Sequence, residues 1–105
     1  MSFRWPNKDP DEILDYSVDW SRWLNGSEIV NCKWYVNDAS GVKTELASGQ
    51  VVNNIQNVFQ TNTTDTATIN LGLGSNNHEY KFYCRITTTT GSIGERIIRL
   101  RIKEQ

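Results

Sequence analysis

Enzymes and metal sites draw heavily on histidine and cysteine, and this 105-residue chain has one of the first and two of the second. His78 stands in the polar run Ser75-Asn76-Asn77-His78-Glu79. A solvated loop position is the ordinary fate of such a residue, and general acid–base work needs converging partners that the run does not supply. Cys32 and Cys84 are too far apart for the close pairs of a zinc site, and neither has a histidine near it in sequence. No glycine-rich phosphate loop is present. The expectation is a non-enzymatic chain with no catalytic, cofactor-binding or metal-ligating set.

Excess charge is lacking too. Eleven Lys and Arg face twelve Asp and Glu, a formal net charge of -1, which argues against nucleic-acid binding through bulk positive charge. No apolar run approaches membrane-spanning length, and no cationic stretch followed by an apolar run opens the chain. A soluble protein without a secretory signal, made in a cytoplasm, is therefore expected. Ala and Leu are sparse while Thr and Asn are plentiful, a balance that favours many short strands over helices. The length suits one domain, large enough to bury a core without metals or many disulfides.

What is present begins with Lys8-Asp9-Pro10-Asp11-Glu12-Ile13-Leu14-Asp15-Tyr16-Ser17-Val18-Asp19-Trp20-Ser21. Asp9, Pro10 and Glu12 form a helix-start signature: a capping carboxylate, a proline suited to the first helical position, and a glutamate placed to reach back. The turn is expected to be short. From Leu14 onward the apolar residues fall at every second position, with Leu14, Tyr16, Val18 and Trp20 on one face and Asp15, Ser17 and Asp19 on the other. Before it, residues 1–8 carry Phe3 and Trp5 without any periodicity. Two readings stay open there: Trp5 folds back over the open end of the core, or the arm docks on a neighbouring subunit, where aromatics commonly anchor interfaces.

Further along, Ser21 is placed to start a single helical turn that Asn25-Gly26 ends with positive backbone angles, and Trp23 is read as a lid on the core. A strand over about residues 28–36 would point Val30, Cys32, Trp34 and Val36 inward. A short strand over 42–47 follows the turn at 37–41. Residues 51–60 fit neither period and are read as a strand with a bulge or bend. Ala67, Ile69, Leu71 and Leu73 alternate, then Tyr80, Phe82, Cys84 and Ile86, then Ile98, Leu100 and Ile102.

About seven short strands at this spacing describe an all-β, immunoglobulin-like β-sandwich, with residues 1–12 as an arm and capped turn and residues 13–105 as the sandwich. Cys32 and Cys84 would then sit on facing strands of opposite sheets, as core fillers rather than a bridge. The departures from an antibody-type domain are Trp34 on the same strand as Cys32 and Phe82 at the tyrosine-corner position.

The acidic run Asp9, Asp11, Glu12, Asp15 and Asp19 raises calcium, but two of these carboxylates have capping work and no glycine-containing calcium loop follows. Asn25-Gly26-Ser27 and Asn62-Thr63-Thr64 match the glycosylation pattern and, without a secretory signal, are read as accidents of composition. On the last strand Ile97, Arg99, Arg101 and Lys103 face outward. If the first and last strands run side by side, Asp15 and Asp19 would oppose this stripe, each exposed pair contributing only about 0.2–1 kcal/mol. The alternative is that the positive charge faces an acidic neighbour in an assembly.

The run from Lys8 to Ser21, with Leu24, Gly26 and Ile29, resembles the opening of the bacteriophage fiber–tail adaptor family. Thr66-Ala67-Thr68-Ile69, Ile86-Thr87-Thr88 and Gly94-Glu95-Arg96 are similar as well. The resemblance implies a non-enzymatic virion component of the tail. Such a protein would connect tail fibers to the tail or portal region in multiple copies arranged in a ring, with no nucleic acid, membrane or cofactor involved. Synthesis would be in the host bacterial cytoplasm. Phe3, Trp5, Asp9, Asp11 and Glu12 are then expected to form one contact region, and Arg99, Arg101 and Lys103 a second. Two alternatives are a head–tail connector or capsid decoration protein, and a carbohydrate- or receptor-binding module using Trp23 and Tyr35.

Overall fold

Strict alternation produces the longest strands of the computed structural model, which describes residues 3–104. In chain order the elements are β1 (Phe3–Arg4), β2 (Leu14–Asp19), α1 (Ser21–Leu24), β3 (Ile29–Asn37), β4 (Lys43–Glu45) and β5 (Val51–Val52). They continue with β6 (Ile55–Asn62), β7 (Thr66–Leu73), β8 (Glu79–Thr88) and β9 (Ile93–Arg101). The protein is an all-β sandwich. One sheet has the order β1-β9-β8-β3-β4 and the other β2-β7-β6-β5. Every pairing is antiparallel except that of β1 with β9.

The two sheets close on a core in which Trp20, Trp34, Tyr80, Phe82, Ile86, Ile98 and Leu100 have almost no exposed surface. Burial of a large apolar side chain contributes about 1.5–3 kcal/mol before the entropy of ordering it is counted. Side chains also tie the sheets together at their edges. Trp5 Nε1 donates to the Ser17 carbonyl at 3.2 Å, and an Arg96 guanidinium nitrogen donates to the Asp19 carbonyl at 2.9 Å. At the opposite edge, Asn57 Nδ2 donates to the Leu46 carbonyl at 2.9 Å and Gln60 Nε2 to the Cys32 carbonyl at 3.0 Å. Donors placed in this way satisfy edge carbonyls, of which that of Leu46 is buried.

Several expectations are corrected. Val30 is exposed rather than inward, because a bulge between Ile29 and Asn31 shifts the register and gives the inward place to Ile29. Leu73 is exposed as well. It adopts φ 61° where the chain leaves β7, and Gly74 behind it has no room for a side chain, since a Cβ there would lie 2.8 Å from Ile102 Cγ1. Residues 51–60 resolve into a hairpin plus a bulge. Asn53 and Asn54, with φ 51° and 62°, make the two-residue turn between β5 and β6, and the ladder with β7 then skips Val58.

The cysteines do not lie in opposite sheets. β3 and β8 are neighbours in one sheet, with Cys32 opposite Ile86 and Trp34 opposite Cys84. Both are buried free thiols with their sulfurs 3.7 Å apart. Their mutual hydrogen bond and burial push the Cys32 thiol well above its ordinary pKa, so it stays protonated. Nor do the strands starting at Leu14 and ending at Arg101 run side by side: β2 pairs with β7, and the outer edge of β9 is taken by the arm.

Candidate interaction surfaces

The arm is built into the sandwich. Phe3 and Arg4 pair in parallel with Ile98 and Arg99, the Trp5 N–H donates to the Arg99 carbonyl at 2.9 Å, and the Lys8 N–H to the Arg101 carbonyl at 3.0 Å. Alternation places Trp5 inward. Its ring stacks on Tyr16 at 4.8 Å and lies 5.7 Å from Phe82 and 5.8 Å from Trp34, leaving 8% of the residue exposed. Of the two readings of the arm, the structure shows the first for Trp5, whose ring folds back over the chain's own core. Phe3 remains 42% exposed.

At the end of the arm the capping signature forms without a helix. Glu12 Oε1 accepts from the Asp9 N–H at 2.9 Å, and Asp9 Oδ1 accepts from the Asp11 N–H at 2.8 Å. The chain makes one turn and enters β2, because Leu14, Tyr16 and Val18 are committed to a strand face. Beneath the turn Lys8 has no exposed surface, and its Nζ donates to the carbonyls of Asp9 at 2.9 Å and Leu73 at 2.6 Å. Burial lowers its pKa, while the nearby carboxylates of Glu12, Asp9 and Asp11 act in the opposite direction. Asp15 accepts from Asn70 Nδ2 at 2.7 Å, and Asp19 accepts from the Ser21 N–H at 2.9 Å. The acidic side chains are thus strung along an edge rather than gathered around one point.

The outer face of the five-stranded sheet carries the opposite charge. Pairing sets its side chains in rows across the strands. Lys33, Arg85 and Glu95 form one row, and Glu45, Tyr35, Tyr83 and Ile97 the next. Lys81, Arg99 and Arg4 form a third, with Glu79 and Arg101 beyond it. Lys43 reaches across both tyrosines, its Nζ 5.0 Å from the Tyr35 ring centre and 4.6 Å from that of Tyr83, to bond Glu95 at 2.8 Å. Arg85 shares Glu95 at 2.9 Å, and Arg4 pairs with Glu79. Among the described residues no ion pair is formed by Lys33, Lys81, Arg99 or Arg101. The four-stranded sheet, by contrast, contains no Lys or Arg at all.

Arg99 and Arg101 are where the sequence places them, facing outward on β9, and Lys103 is exposed just beyond it. Their companions Arg4 and Lys81 escape sequence reasoning, because adjacency across strands depends on register. Arg96 is missed as well. It occupies an inward position at the sheet edge, 4.4 Å from the Trp20 ring centre and 5.3 Å from that of Phe3, and lines a groove of about 290 Å³ between β1, β2 and β9. A charge in phase with Ile98 and Leu100 is the signal that could have found it. Trp23 meets Trp20 edge-on at 5.3 Å above Gly94 and stays 41% exposed, a partial lid. His78 is exposed, 4.5 Å from the Tyr80 ring centre, beside an open pocket of about 270 Å³ that also touches Lys81 and Arg99.

A family model described as podophage GP4 fiber-tail adaptor protein gp77 matches residues 8–101. The chain belongs to that family. Membership makes it a structural component of a phage tail, and the virion tail its place of work. No curated protein matches the chain. The matched range begins at the buried Lys8 and takes in the whole of β8 and β9, so the cationic face lies almost entirely inside it. Phe3, Arg4 and Trp5 fall outside it.

Proposed function

We propose that this protein is a non-enzymatic adaptor that joins tail fibers to the tail or portal-proximal body of a podophage, in multiple copies set in a ring. The observation that carries the reading is the family match over residues 8–101. The physics of the surface supports it. An assembly component needs a rigid body and more than one distinct contact face, and this sandwich offers a cationic tyrosine-bearing face and an acidic edge. The contact regions assigned are Phe3 with the Asp9, Asp11 and Glu12 turn, and Arg99 with Arg101 and Lys103. Synthesis in the host cytoplasm, and assembly without nucleic acid or membrane, complete the reading.

A carbohydrate-binding role is disfavoured by the rings it would use. Tyr35 is covered by Lys43 and Arg85, and Trp23 is packed against Trp20. A head–tail connector or decoration protein would share the same surface chemistry and differ in location. The deciding measurement is the copy number in washed particles, by quantitative mass spectrometry against the portal protein. A small integer ratio to portal is expected. A ratio near that of the major capsid protein would point to decoration, and absence from particles would end the virion reading.

A further inference from the structure

The row Lys81–Arg99–Arg4 sets three cations side by side on adjacent strands. Like charges directly opposite one another destabilise a sheet. A single carboxylate, Glu79, pairs with Arg4 and also attracts Arg99 and Arg101 at longer range, so one negative charge serves several cations, and Lys81, Arg99 and Arg101 form no ion pair among the described residues. Folding of the monomer does not explain a cost left standing in this way. An acidic surface laid on the face would remove it.

The same chain carries such a surface. Asp15 and Asp19 project from β2, an edge strand of the sheet that has no Lys or Arg, and the Asp9–Glu12 turn adds Asp11 and Glu12 at its start. The carboxylates on β2 span about 13 Å along the strand, against about 10 Å for the three-strand cation row, with Arg101 about 7 Å further along β9. Backbone strand addition at this edge is hindered, since the Ser17 and Asp19 carbonyls are already held by Trp5 and Arg96. What β2 offers a neighbour is its side chains.

We infer that the Lys81–Arg99–Arg101 face of one copy docks on the Asp11–Asp15–Asp19 edge of a second copy of this chain. The contact is head-to-tail. The pair keeps one unused face of each sign, so the arrangement either closes into a ring or grows. The inference rests on the multi-copy reading proposed above and gives it a surface. Because it depends on charge, it weakens as salt shortens the reach of the field.

The test is sedimentation of the purified full chain at low and high ionic strength. Two variants accompany it: Arg99→Gln with Arg101→Gln, and Asp11→Asn with Asp15→Asn. Both pairs are exposed or half-exposed, each substitution removes charge while leaving a polar side chain, and thermal unfolding shows whether each remains folded. The wild type is expected to associate at low salt and dissociate at high salt, and each variant to associate about tenfold or more weakly. Mixed together, the two variants should form a 1:1 dimer that grows no further, because only one native contact remains between them. A wild type that stays monomeric at low salt overturns the inference, as does association that either variant leaves unchanged. If a variant misfolds, the salt response of the wild type decides alone. Failure here is distinct from failure of the adaptor reading: a monomer still found in stoichiometric amount in particles refutes the self-contact only.

Discussion

The Lys8 ammonium nitrogen lies 2.6 Å from the main-chain carbonyl oxygen of Leu73, and the lysine has no exposed surface. It joins the end of the arm to the end of β7, where Leu73 leaves the strand in the left-handed region. Replacing Lys8 by Met would leave the Leu73 and Asp9 carbonyls without this donor while relieving the burial of a charge. The net loss expected is about 2–3 kcal/mol, the cost of unpaired buried acceptors less that relief. Urea unfolding of Lys8→Met measures it; an unchanged midpoint would mean that water serves both carbonyls equally well.

Trp5 and Phe3 separate core from surface within three residues. Trp5→Ala removes a ring stacked among Tyr16, Trp34 and Phe82 and is expected to cost about 3–5 kcal/mol, enough to unfold much of the protein. Phe3→Ala removes a half-exposed ring resting against Arg96 and should cost no more than about 1 kcal/mol. Equal small losses from the two variants would mean that the arm is held by the main chain alone.

How far all this is legible in sequence depends on the element. The alternation of Tyr80 to Ile86 and of Ile98 to Ile102 marks two strands with faces correctly assigned, because nothing interrupts their period. The parallel strand β1 has two residues, too few to show a period, so the arm looks irregular until its partner is known. Val30 misleads because a bulge reverses the alternation locally. The Asn53–Asn54 turn is hidden because asparagine can take the left-handed region without announcing it as glycine does. The sheet membership of the cysteines is hidden for a related reason: periodicity identifies strands but not their neighbours. The cationic surface divides in the same way, with Arg99 and Arg101 readable on one strand and Lys81 and Arg4 joined to them only by register.

Gly94 is expected to be intolerant of a side chain. A Cβ there would stand 2.8 Å from Trp23 Cζ2 and 3.0 Å from Trp20 Cζ3. Trp20 has no room to move, so Gly94→Ala should drive Trp23 outward and cost about 1–3 kcal/mol. A red-shifted tryptophan emission together with a lowered melting temperature is the expected signature. An unshifted spectrum at full stability would show that the Trp20–Trp23 contact is not fixed.

The thiols give a prediction of no effect. Cys32 and Cys84 are free and buried, and the Cys32 thiol is pushed up by burial and by its hydrogen bond with Cys84, so a reductant should leave the melting temperature of freshly purified protein unchanged. A drop on reduction, or an intact mass lower by two hydrogen atoms, would instead reveal a bridge between β3 and β8.

The acid limb of stability should report on Glu95. Burial raises its carboxyl, but hydrogen bonds from Lys43 and Arg85 outweigh this and hold the pKa below its ordinary 4.5. For a carboxylate whose folded pKa is depressed, the stabilisation is fully present above the unfolded value and is lost as pH falls through the folded one. Wild-type stability should therefore fall below about pH 4.5 more steeply than that of Glu95→Gln. Glu79 and Asp19 are also depressed, yet both proteins share them, so the difference between the two curves isolates Glu95. Near neutral pH the substitution should cost only about 1 kcal/mol, since the pairs are partly solvated. Unfolding measured across the acid range decides the matter: parallel curves would mean that Lys43 and Arg85 do not engage this carboxylate in solution.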